Sequence, residues 1–94
     1  MTELSKIPQE LLSSLEIDGL TQRVGKITAI CDFPSSEGST FFFRDSDDPS
    51  WYVWFPMTRE MHPTILSILE NPDYRTLVLI DGAGKLNRLL VYSA

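Results

Sequence analysis

Residues 40–56, TFFFRDSDDPSWYVWFP, hold seven of the chain's ten aromatic residues in seventeen positions. Two ring-rich runs, TFFFR and WYVWFP, flank the six polar residues DSDDPS. Aromatic runs bounded by Asp, Ser and Pro predict two strands of a hairpin. Side chains alternate across a strand. Phe41 and Phe43 therefore share one face, with Phe42 and Arg44 on the other. On the second strand Trp51, Val53 and Phe55 share a face, and Tyr52 and Trp54 share the opposite one. A small closed barrel has one inward face and one outward face, so it cannot bury all seven rings from two adjacent strands. The expected division puts Phe41, Phe43, Val53 and Phe55 inside, and Phe42, Arg44, Tyr52 and Trp54 outside.

The rest of the chain supplies the partners of this hairpin. Residues 8–17, PQELLSSLEI, predict a short helix, with Pro8 in its first turn and Leu11, Leu12 and Leu15 at helical spacing. Residues 22–31, QRVGKITAIC, are β-branched and predict a strand. Ile27 and Ala29 fall on one face and Lys26 and Thr28 on the other. Val24 is out of phase with Ile27, and a bulge or bend at Gly25 would restore the register. DFPSSEGS is loop chemistry. A second helix starts at His62 or Pro63, carries Ile65, Leu66, Ile68 and Leu69 on its apolar face, and ends at Asn71-Pro72. RTLVLI is the continuous apolar run of a buried strand. DGAG is a turn, and KLNRLLVYS closes the chain as a strand, although Leu86, Leu89 and Leu90 also fit helical spacing.

The expected order is helix, strand, strand, strand, helix, strand, strand: a mainly β chain with two short helices. Ninety-four residues suit one domain, 1–94, with a helical extension at 1–20 and a barrel at 21–94. Over residues 22–93 this order, with Gly25 in the first strand where such barrels bend, resembles the OB-fold, a small five-stranded Greek-key barrel. The Sm-like barrel also begins with a helix and has five strands, but joins its third and fourth strands differently.

Composition narrows the function. No apolar run approaches the roughly 20 residues that cross a bilayer, so no membrane partner is expected. The first twenty residues are acidic and predict neither a signal nor a transit peptide. With Cys31 as its single cysteine, the chain is expected in the cytoplasm. The net charge of −5 argues against phosphate binding. Its distribution argues the other way. Segments 22–30, 40–44, 51–59, 75–80 and 85–93 hold seven of the eight basic residues and none of the thirteen acids. Strands are depleted in acids in any case.

No catalytic set emerges. A nucleophile needs a base in reach, and nothing brings Cys31 and His62 together. Cys31 is expected to be a small buried hydrophobe. Two such residues cannot make a zinc site, which takes three or four ligands. Asp45, Asp47 and Asp48 lack the glycine and distal glutamate of a calcium loop and predict a solvated hairpin tip. DGAGK lacks the spacing of a phosphate loop.

The chain is thus expected to be a non-enzymatic binding module without cofactor or metal. Three accounts of the outer rings compete. The N-terminal helix packs Leu11, Leu12 and Leu15 on Phe42 and Trp54; a protein partner or a second copy of the chain docks there; or bases stack there. The OB-fold resemblance favours stacking. It implies single-stranded nucleic acid across the second and third strands, with Phe42, Tyr52 and Trp54 as platforms and Arg44, Lys26, Lys85 and Arg88 at phosphates.

Overall fold

The computed structural model describes residues 7–15, 18–32 and 38–93. Helix α1 (Gln9–Ser14) precedes strands β1 (Thr21–Asp32), β2 (Ser39–Asp45) and β3 (Tyr52–Met57). A 3₁₀ turn (Arg59–Met61) leads into helix α2 (His62–Glu70), and β4 (Tyr74–Ile80) and β5 (Leu86–Ser93) follow. The class is mainly β with two short helices, and the C-terminal segment is a strand. The five strands form one antiparallel sheet in the order β3-β2-β1-β4-β5. β3 and β5 do not pair with each other, so the sheet is not closed. Most of the predicted DFPSSEGS loop and the end of the predicted first helix lie outside the described residues.

β1 joins the two halves of the sheet. Residues 21–25 pair with β4 and residues 25–32 with β2, so Gly25 faces Thr76 on one side and Asp45 on the other. A Cβ at Gly25 would collide with the Arg44 carbonyl and lie 2.9 Å from the Phe43 ring. Glycine is needed there for close backbone approach. The register shift falls not at Gly25 but between Ile27 and Ala29. It does not bring Val24 into phase with Ile27; the two enter separate apolar clusters on opposite faces. It also moves Ala29 opposite Phe42 and Ile30 opposite Phe41, against the simple alternation expected there.

The larger cluster fills the inner face with Ile27, Phe41, Phe43, Phe55, Met57, Val78 and Ile80, closed by Ile65 and Ile68 of α2. Pro63 sits in the first turn of α2, where its missing N–H costs nothing. Leu66, expected on the apolar face, is exposed. The second cluster lies on the outer face of β1, β4 and β5: Val24, Leu77 and Leu79 meet Ile7, Leu12 and Leu15. β4 is therefore buried on both faces, which explains its unbroken apolar run.

Candidate functional site

α1 covers the wrong wing of the sheet to shield the hairpin rings. Leu12 and Leu15 pack on the Val24–Leu77–Leu79 cluster, not on Phe42 and Trp54, and Leu11 is exposed. The outer face of β2 and β3 remains open. Tyr52 is 58% exposed and Trp54 46% exposed, while Phe42 is half-buried between them. Register explains the grouping, since Phe42 pairs with Trp54 and Arg44 with Tyr52. The Phe42 ring centroid lies 5.5 Å from Tyr52 and 5.1 Å from Trp54, the latter edge-on. The Arg44 guanidinium lies 5.4 Å from the Phe42 centroid and 5.1 Å from that of Tyr52. It also donates to the Pro49 carbonyl at 2.5 Å, which fixes it beside the rings. Lys26 pairs with Arg44 across β1–β2 and is exposed. Phe42, Arg44, Tyr52, Trp54 and Lys26 thus form one patch.

Lys85 and Arg88 stand apart from this patch. They line a groove of about 730 Å³ between the unpaired edges of β3 and β5, and Trp54 lines it too. Trp54 is the link between face and groove. Asp81 builds the turn that carries Lys85, accepting the amides of Ala83 and Lys85 at 2.9 Å each, with Gly84 at φ 81°. Pro56, Glu60 and Met61 also line the groove. Sequence reasoning missed them because the groove exists only where the edges of β3 and β5 fail to pair. Glu60 is held below the usual glutamate range by a backbone hydrogen bond and by the Thr58 hydroxyl.

Under the hairpin, Arg23 lies 4.0 Å from the Trp51 ring and pairs with Asp45 at 2.7 Å. Asp45 is 5% exposed and accepts the amides of Asp47 and Asp48 at 2.7 and 3.1 Å. It was expected at a solvated tip; instead it is the buried anchor of the loop. Strand boundaries also weaken the expected charge segregation, since Asp32 and Asp45 both lie within strands. Arg23 is spent on Asp45.

The Ser39 hydroxyl donates to the Asp32 carboxylate and, with His62 nearby at 3.5 Å, holds its pKa below the usual value. His62 begins α2, where sequence placed it, and the partner that it meets is Asp32. Cys31 is half-buried on β1, less enclosed than expected. Among the described residues, no three His, Cys, Asp or Glu side chains converge as a metal site requires. No helix among them is long and apolar enough to cross a membrane. No protein-family model, curated protein or solved structure matches this chain.

Proposed function

We infer that this chain is a non-enzymatic, OB-like module that binds single-stranded nucleic acid across β2 and β3. The OB-like reading is supported by the strand order, the helix between β3 and β4, and a bent first strand shared between β2 and β4. The observation that carries the ligand class is the row Tyr52–Phe42–Trp54 with Arg44 held against it. Every base has a π-face, so such rings accept any sequence, each worth about 1–3 kcal/mol. Lys26 and Arg44 neutralise phosphates at one end of the row. Lys85 and Arg88 do so where the strand passes Trp54 into the groove.

A protein partner on the same face is the competing reading, and the net charge of −5 favours it. Titration with a labelled single-stranded oligonucleotide decides. The expected result is saturable binding at low salt, weakened by about 1–3 kcal/mol in Tyr52→Ala and in Trp54→Ala. Tyr52 is the more exposed of the two, so Tyr52→Ala should keep the native unfolding midpoint, and Trp54→Ala should cost little stability. Absence of binding at low salt rejects the nucleic-acid reading. Unfolding of Trp54→Ala would place that ring in the core and reject the site.

A further inference from the structure

The seam between β3 and β5 carries two unpaired strand edges with an apolar floor between them. Both strands end the sheet order, and no backbone hydrogen bond crosses the seam among the described residues. Val53, Leu86 and Leu89 form the floor; each is half-buried and packs on the inner core. An extended residue fills roughly 160 Å³, from a rise of about 3.3 Å, a strand spacing of about 4.8 Å and a sheet packing distance of about 10 Å. The groove of about 730 Å³ is of the order of the space that four to five extended residues occupy. Such a strand would border the unpaired edges of β3 and β5, the arrangement used in strand addition, with no donor at Pro56.

We propose that the seam receives an extended segment of a partner protein in which apolar residues alternate with acidic ones. The alternation follows from the two sides of the groove. Residues pointing inward meet Val53 and Leu89. Residues pointing outward meet Trp54 and Arg88, because Arg88 pairs with Leu79 and shares its outer face. Lys85 adds a second cation on the β5 side; Glu60, the one acid of the groove wall, lies on the helical side. A second copy of this chain fits less well. A two-fold pairing of β5 with β5 centred on Arg88 would set Arg88 opposite Arg88, and like charges across a strand pair repel. Pro56 has no N–H to donate and weakens pairing at β3 for either occupant.

Trp54, Lys85 and Arg88 then serve both ligands, so peptide and oligonucleotide exclude one another. That exclusion rests on the nucleic-acid reading; the docking of the peptide does not.

The probe is an end-capped peptide alternating valine with glutamate, measured by calorimetry and by amide hydrogen exchange. It should bind, slow exchange at β3 and β5 amides, and bind roughly tenfold more tightly than the valine–lysine peptide. The double variant Lys85→Glu, Arg88→Glu changes only exposed side chains and should reverse that preference. Tyr52→Ala should weaken the oligonucleotide and leave the peptide affinity unchanged, so failure of one reading is distinguishable from failure of the other. Equal affinity for the two peptides, or no slowing at the edge amides, overturns the docking. Slowing that rises with protein concentration in the absence of peptide also overturns it, and puts a second copy in the seam. Simultaneous binding of peptide and oligonucleotide overturns the exclusion.

Discussion

Asp45 does more for the hairpin than any other polar side chain. Its carboxylate accepts two loop amides and the Arg23 guanidinium while almost fully buried. Hydrogen bonds to a charged group are worth more than neutral ones, so Asp45→Ala should cost about 2–3 kcal/mol in urea unfolding. Asp45→Asn keeps an acceptor for the amides and should cost less. This role was not legible in DSDDPS. The acids there look alike in sequence, and the partner that singles out Asp45 is 22 positions away. The alternation of Phe41 to Arg44 and of Trp51 to Phe55 was legible, because a strand's period of two sorts its side chains without knowledge of the partner. Gly25 was legible as special, but its reason is backbone crowding by β2, not a bulge.

At the scale of elements, α1 illustrates the limit of an amphipathic pattern. Leucines at helical spacing announce an apolar face; they do not say what it covers. Here the destination is β4 and the start of β1, because Leu77 and Leu79 would otherwise expose the second face of an all-apolar strand. Leu12→Ala should therefore lower stability by about 1–2 kcal/mol and leave oligonucleotide affinity unchanged, measured on the same preparation. The link between β1 and α2 gives a pH dependence. The folded-state pKa of Asp32 is depressed, first by Ser39 and then by His62. Its stabilising contribution is present above the ordinary value of 3.8 and is lost as pH falls through the lower folded value. Ser39→Ala removes the largest cause, so the unfolding midpoint of the variant should fall less steeply below pH 3.8 than that of the native chain.

At the scale of the whole molecule, an acidic chain carries its cations near exposed rings. With Lys26, Arg44, Lys85 and Arg88 at phosphates, the logarithm of the binding constant should fall with the logarithm of salt at a slope of roughly −3. Lys26→Ala should reduce that slope by roughly 0.7. The strand count and class could be read from the sequence because each strand is bounded by turn residues. The groove could not, since it exists only where β3 and β5 fail to meet. The sharing of β1 has one more consequence. Tension applied between β3 and β5 would load every ladder in series, because among the described residues no ladder closes the gap. The β1–β4 ladder has five paired positions, against six or seven in each of the others. Rupture would begin there, parting the molecule into a three-stranded piece and a two-stranded one, with Gly25 at the tear.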